Sequence, residues 1–182
     1  RTVRSHPRNP GRLSLQDLAA YQARERTPLC FDTERPPHGA YRVCGFPPPS
    51  SGGVAVAQIL GVLEHFDMPR LDPRGADAAH LLAEAGRLAF ADRNLFLADA
   101  DFVPVPVRGL TDQAYLTTRA QLIDRDRALQ NPRAGNPSWR ETSLAPQTQE
   151  YEAGTSHIAI VDGAGNALSM TTTIEAVFGS RL

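Results

Sequence analysis

The residues with the most chemistry in them lie in the stretch Gly154-Thr155-Ser156-His157. A threonine hydroxyl inside a chain is a poor nucleophile, because nothing beside it takes its proton. A threonine at a free N-terminus is different. Its own α-amine, with a pKa of about 7.7–8.0, can act as base through one bridging water. Thr155 stands between a loose polar segment and a strong β-like run, so a cut before it would start a strand on a nucleophile. Gly154 offers an unhindered carbonyl to the Thr155 hydroxyl, for an N→O acyl shift followed by hydrolysis. The plain alternative is a threonine that merely opens a strand.

Three further hydroxyls follow at Thr171, Thr172 and Thr173. Alternation puts Thr171 and Thr173 on one face of a strand and Thr172 on the other. A hydroxyl opposite Thr155 could hold its oxygen, although a run of threonines is also ordinary strand composition. His157, two residues after Thr155, shares its face and is either a polar neighbour of the site or a structural histidine. His6, His38, His65 and His80 show no metal-ligand spacing. Glu84, Asp92, Arg93, Asp99 and Asp101 form a charged stretch, read as a capped and salt-bridged helix terminus ahead of a pair of catalytic acids. Cys30 and Cys44 fall opposite each other if the segment between them is a hairpin centred on Pro37. A disulfide in an oxidising compartment and two free buried thiols both fit.

These residues need elements to position them. Ser14 followed by Asp17 resembles a helix N-cap with an acid three residues on, and predicts a short helix over 14–22. PLCFD (28–32) and AYRVCGF (40–46) read as two strands joined by a wide loop. FPPPSSGG (46–53) is punctuation, in which Ser50 or Ser51 can cap and the glycines permit close backbone approach. VAVAQILGVLEHF (54–66) reads as a buried helix. Residues 76–97 form a long amphipathic one, with Leu81, Leu82, Ala85, Leu88, Ala89 and Phe96 near one stripe. Residues 99–110 read as extended and proline-interrupted, and a helix capped near Thr111 follows. Residues 130–153 hold almost nothing to bury and read as a flexible loop. SHIAIVDGAGNALSMTTT then gives the clearest β-hairpin, with DGAGN as its turn.

Composition narrows the classes. Lys+Arg is 19 and Asp+Glu is 20, a net charge of −1, which argues against a nucleic-acid binder. No apolar run approaches the roughly 18–20 residues of a membrane span. Two cysteines cannot supply a zinc or iron–sulfur site, so no metal is expected. The opening RTVRSHPRNPGR is basic, starts on Arg1, and lacks the apolar stretch of a signal peptide. The expectation is a piece of a longer polypeptide.

GRLSLQDLAAY (11–21), FPPPSSGG (46–53), AEAGRLAFADRNLFLADADFVPVPV (83–107) and GTSHIAIVDGAGNALSMTTTIEAVFGS (154–180) occur in that order. Together they resemble the γ-glutamyltranspeptidase family of N-terminal-nucleophile hydrolases, from about residue 11 onward. The resemblance implies an α+β chain that is part of an αββα sandwich, and a precursor that cuts itself at Gly154–Thr155. Residues 1–153 would then end the large-subunit segment, with 130–153 as the loop before the cut, and residues 154–182 would begin the small subunit. Thr155 would attack a γ-glutamyl amide such as glutathione and pass the acyl group to water, an amino acid or a peptide. Thr173 would hydrogen-bond the nucleophile. No cofactor is implied. The partners implied are the small amide substrate and the rest of the parent chain, and an exported parent, periplasmic or extracellular, is expected.

One position departs from the family pattern. Where the family has Asn two residues after the Thr173 position, binding the substrate's glutamate head group, this chain has Glu175. A carboxylate there could meet an ammonium but would repel an α-carboxylate. The alternatives are therefore an acylase of the same fold, of the cephalosporin or glutaryl kind, and a non-catalytic binding module. The isolated piece, lacking the family's other substrate-binding and oxyanion residues, is expected to be inactive.

Overall fold

The structure is a computed structural model and describes residues 2–5, 7–8, 10–34, 39–140 and 154–174. Its chain divides into two units, Glu25–Gln147 on the one hand and Arg1–Arg24 with Thr148–Leu182 on the other.

In the first unit, strands β1 (Leu29–Glu34) and β2 (Ala40–Gly45) pair antiparallel with Cys30 opposite Cys44. The two cysteines are bonded as a disulfide, with Cα atoms 4.1 Å apart. Pro37, the expected centre of this hairpin, lies outside the described residues. Helix α2 (Gly52–Leu63) follows and packs against α3 (Ala76–Phe96), α5 (Gln113–Ala120) and both strands. A one-turn helix, α4 (Val107–Leu110), lies within the stretch expected to be wholly extended. The α2 helix is apolar nearly all round, as a helix with neighbours on several sides must be. It starts hard against the end of β2: a Cβ on Gly53 would collide with the Phe46 carbonyl. Thr33 ties the hairpin to the other end of α2 by donating to Glu64 Oε1 at 2.6 Å.

Two apolar clusters hold this unit. One joins Val62, Leu63, Leu81, Ala85, Leu88, Leu116, Ala120 and Ile123, and the other joins Val54, Phe96, Leu110 and Tyr115. The buried stripe of α3 is Ala78, Leu81, Glu84, Ala85, Leu88, Ala89, Asp92 and Phe96. Leu82 is off it and half exposed, at 53%. One helical step of 100° from Leu81 turns it away from the core.

Ser51 occupies the N-cap position of α2 but caps nothing with its side chain. Its hydroxyl instead accepts from Arg93 Nε at 2.9 Å. The cap of α5 is Asp112, next to Thr111 as the sequence suggests, and its carboxylate accepts from the Ala114 and Tyr115 amides at 3.0 and 3.2 Å. The described part of the 130–153 stretch, residues 130–140, lies against the helices. Pro137 is fully buried, Arg119 donates to the Arg133 carbonyl at 2.9 Å, and the Gly135 amide donates to Asp92 at 2.8 Å. Residues 141–153 lie outside the described set.

In the second unit, α1 (Leu15–Ala20) opens with a capping box. The Asp17 amide donates to Ser14 Oγ at 3.1 Å, and the Ser14 amide donates to Asp17 Oδ2 at 2.7 Å. This is the reciprocal satisfaction of helix-end donors that the Ser-x-x-Asp spacing encodes. The hairpin of β3 (Thr155–Val161) and β4 (Ala167–Thr173) pairs antiparallel in one unbroken register. Its turn is set by Asp162 Oδ1, which accepts from the Ala164 and Asn166 amides at 2.9 and 2.8 Å, and by Gly165 at φ +85°.

Candidate functional site

The register of β3 and β4 builds the site. The Ile174 amide donates to the Gly154 carbonyl at 3.0 Å, and the Asp162 amide to the Asn166 carbonyl at 3.0 Å. These bonds mark the hydrogen-bonded rungs. Counting inward from them, Thr155–Thr173 and His157–Thr171 are non-hydrogen-bonded pairs. In such pairs the Cα atoms approach to about 4.5 Å and the facing side chains come closest.

The consequence is direct contact. Thr155 Oγ1 lies 2.7 Å from Thr173 Oγ1. The Thr173 hydroxyl is also within 3.3 Å of the Gly154 carbonyl oxygen, to which it can donate. That carbonyl oxygen therefore faces two donors, the Ile174 N–H and the Thr173 O–H, while the Thr155 hydroxyl sits beside it. An acyl carbon held by donors on its oxygen and flanked by a hydroxyl has the parts needed for acyl transfer.

One rung further, His157 Nδ1 is 2.8 Å from Thr171 Oγ1, and its Nε2 is 3.2 Å from Ser169 Oγ. This face of the hairpin is polar throughout its first two rungs. The other face carries Ile158, Ile160, Leu168 and Met170. Thr172 pairs with Ser156 on that second face.

Of the residues singled out in the sequence, Gly154, Thr155, Thr173 and His157 are thus brought to one end of one hairpin face. Glu175 lies outside the described residues, as do His6 and His38. Cys30 and Cys44 belong to the other unit, in the β1–β2 hairpin. The charged stretch of α3 splits. Asp99 is half-buried and Asp101 is exposed, where it pairs with Arg26 at 2.6 Å. Glu84 and Asp92 are in the core, at 2% and 1% exposure. Asp92 accepts from Gln58 Nε2 at 2.8 Å, the Tyr115 hydroxyl at 2.7 Å and the Gly135 amide at 2.8 Å, with Arg119 Nη2 at 3.3 Å. Burial and the adjoining carboxylate push the Tyr115 hydroxyl far above the usual phenol range. With four donors already on it, Asp92 is a packing hub and not an acid–base group. Among the described residues no cluster of His, Cys, Asp or Glu could hold a metal ion. No helix among them is long and apolar enough to cross a membrane.

Sequence reasoning missed two features here. The Ile174 amide on the Gly154 carbonyl carries no side-chain signal and follows only from register. Ser169 and Thr171 as the two partners of His157 were legible in principle, because alternation from Thr173 places both on its face.

The family model for gamma-glutamyltranspeptidase matches residues 2–182. The glutathione hydrolase proenzyme of Escherichia coli (strain K12) is 41% identical over 174 residues, covering 95% of this chain and 28% of the relative. The acylase ACY 1 proenzyme of Pseudomonas sp. (strain SE83) is 39% identical over 172 residues, covering 94% of this chain and 28% of the relative. The crystal structure of Helicobacter pylori gamma-glutamyltranspeptidase superposes with a TM-score of 0.62 at 36% identity, over 70% of this chain and 36% of that one. The α+β fold is accordingly that of the N-terminal-nucleophile hydrolases, of which this chain spans the part that carries the β3–β4 hairpin. The chain belongs to the gamma-glutamyltranspeptidase family.

Proposed function

We propose that this chain is the central part of a self-processing precursor that transfers or hydrolyses the γ-glutamyl group of glutathione and related amides, with Thr155 as the nucleophile. The observation that carries the reading is the 2.7 Å contact between the Thr155 and Thr173 hydroxyls, on the rung next to the Gly154 carbonyl. The names of the relatives support it, since both curated relatives are called proenzymes.

The chemistry runs in two stages. In the first, Thr155 Oγ bonds to the Gly154 carbonyl carbon, the Gly154–Thr155 C–N bond breaks, and the hydroxyl proton ends on the departing amine. The resulting ester is hydrolysed by water to a Gly154 carboxylate and a free Thr155. In the second, the liberated α-amine takes the Thr155 proton through a water, and the hydroxyl attacks the substrate's γ-carbonyl. An acyl-enzyme forms and the amine leaves. Water or an amino acid then accepts the acyl group and restores the hydroxyl. Thr173 orients the nucleophile in this stage.

Glu175 bears on which acyl group is taken. A γ-glutamyl head group carries an ammonium and a carboxylate, whereas a glutaryl group keeps only the carboxylate. A carboxylate at the head-group position meets an attractive partner only in the first. The acylase alternative therefore gains nothing from Glu175, and γ-glutamyl amides are the better match. The remainder of the parent chain supplies the rest of the site, and export from the cytoplasm fits the Cys30–Cys44 disulfide.

The test is N-terminal sequencing and mass spectrometry of the purified full-length precursor, followed by turnover of γ-glutamyl and glutaryl anilides. Two polypeptides, one beginning at Thr155, are expected, with Thr155→Ala leaving one intact chain. A preference for γ-glutamyl anilide is expected as well. An intact precursor that turns over neither amide would mark a non-catalytic module, and a preference for glutaryl anilide would favour the acylase reading.

A further inference from the structure

The two faces of the β1–β2 hairpin differ in what they touch. Alternation along the paired strands puts Leu29, Thr33 and Gly45 on one face. That face lies on α2. Leu29 packs against the cluster of Val54, Phe96, Leu110 and Tyr115, and Thr33 donates to Glu64. A Cβ on Gly45 would stand 3.1 Å from the Gly53 Cα. Cys30 and Cys44 belong to the other face, so their disulfide is on the side of the hairpin away from α2. Cys44 is exposed and Cys30 is half-buried. The bond therefore crosses an open surface, while the hairpin is held to its unit by the opposite face and by its own backbone ladder.

Exposure of this kind decides how a disulfide reacts. Exchange begins when a thiolate attacks one sulfur, and access to that sulfur is one of the terms that set the rate. The attack runs in line with the S–S bond, so Cys44 Sγ is approached from the outer side of β2. Among the described residues no third strand stands there. The same approach passes Arg42, which is exposed and lies two residues before Cys44 on its face. A cation beside the attacked sulfur favours the incoming thiolate. Cys30 has the reverse surroundings. It is the more covered of the two, and the neighbour two residues along its strand face is the exposed Asp32, a carboxylate. Access and charge both select Cys44.

We propose that the Cys30–Cys44 disulfide is a thiol-exchange site, opened at Cys44 by a small thiol. The choice of glutathione as that thiol rests on the proposed substrate, whereas the site itself does not. In the first step the glutathione thiolate bonds to Cys44 Sγ, the bond between the two cysteine sulfurs breaks, and Cys30 departs with the electron pair as a thiolate. A second glutathione thiolate then bonds to the glutathione sulfur of the adduct and releases the Cys44 thiolate. Two thiols are oxidised to one disulfide, and the protein disulfide is reduced to two thiols. Thr155 takes no part. The hairpin stays folded on α2 throughout, because Leu29, Thr33 and Gly45 are untouched.

The test holds the full-length parent, folded, in reduced glutathione, quenches it with iodoacetamide and maps the peptides by mass spectrometry. Glutathione on Cys44 with the alkyl group on Cys30 is expected to exceed the reverse pattern by about tenfold. The near-ultraviolet circular dichroism of the exchanged protein is expected to stay close to that of the starting one. Two single variants check the choice of sulfur. With oxidised glutathione, the free Cys44 of Cys30→Ser is expected to be modified about tenfold faster than the free Cys30 of Cys44→Ser. An adduct mainly on Cys30, or equal rates in the two variants, would overturn the proposal. So would a disulfide that opens only when denaturant is added. Thr155→Ala is expected to exchange at the wild-type rate. A precursor that is never cut before Thr155 would thus remove the proposed function and leave the exchange site standing, while an inert disulfide in a protein that matures would do the opposite.

Discussion

Thr155 and Thr173 are partners because they occupy a non-hydrogen-bonded rung, the one geometry in an antiparallel pair that brings two short side chains within 2.7 Å of each other. On a hydrogen-bonded rung the same two residues would stand about 5.5 Å apart at Cα, and their hydroxyls would need a bridging water. The rung is fixed by the turn at the far end of the two seven-residue strands: Asp162, Gly165 and Asn166 set the count of residues in the loop, and hence the parity of every pair behind it.

Removal of that partner is a direct test. In the matured parent, Thr173→Ala is expected to lower kcat by about a hundredfold or more, because the nucleophile loses the group that orients it. Thr173→Ser keeps the oxygen and is expected to restore activity to within a few fold. A steady-state comparison of the two variants on γ-glutamyl anilide reads the difference, and equal activity of the alanine and serine forms would detach Thr173 from the reaction.

The hub around Asp92 makes a second prediction, about stability. Asp92 is buried with Arg119 and receives bonds from α2, α5 and the 133–135 segment. Asp92→Ala leaves a guanidinium buried without its carboxylate, which is expected to cost about 3–5 kcal/mol. Tyr115→Phe removes one bond to a charged acceptor and is expected to cost about 1.5–3 kcal/mol. Denaturant unfolding of the parent ranks the two, with Asp92→Ala the worse. The Asp92 variant is also expected to expose residues 133–138 to amide exchange, since Gly135 loses its acceptor.

The site and the core were not equally legible in the sequence. The β3–β4 hairpin could be read because its two signals agree: a period of two fixes the faces, and DGAGN fixes the register between them. The capping box of α1 was legible for a similar reason, being wholly local. Asp92 and Glu84 were not. A carboxylate among arginines on a helix reads as a solvated end, and what buries these two lies far along the chain: Tyr115 is 23 residues from Asp92 and Gly135 is 43. The same distance hid the packing of residues 130–140, which are held by backbone-to-side-chain bonds that polar composition does not announce. Helix α4 was hidden by prolines that stop just before it and so permit a first turn.

The Cys30–Cys44 disulfide closes a loop of sequence separation 14. In the chain-entropy picture, a crosslink of that span stabilises by about 3 kcal/mol. Reduction, or the Cys30→Ser/Cys44→Ser pair, is expected to lower the Tm of the parent. Calorimetry with and without reductant checks this. Labelling with a thiol reagent after denaturation is expected to find neither cysteine free before reduction.

Glu84 supplies a pH dependence whose sign can be worked out. Burial opposes its charge, but the Leu129 amide at 2.8 Å and the Arg87 guanidinium at 2.7 Å outweigh this and hold the carboxyl below its ordinary value of 4.5. A group whose pKa is lower folded than unfolded binds fewer protons when folded, so its contribution is complete above the unfolded value and is lost as the pH falls through the folded one. The stability of the parent is therefore expected to decline in acid below about pH 4.5 in part through this group. Glu84→Gln cannot titrate, and its unfolding free energy should change less steeply over that acid range than that of the wild type, while being lower near neutrality. Parallel slopes for the two proteins below pH 4.5 would show that the Leu129 and Arg87 contacts do not hold the Glu84 charge as the distances indicate.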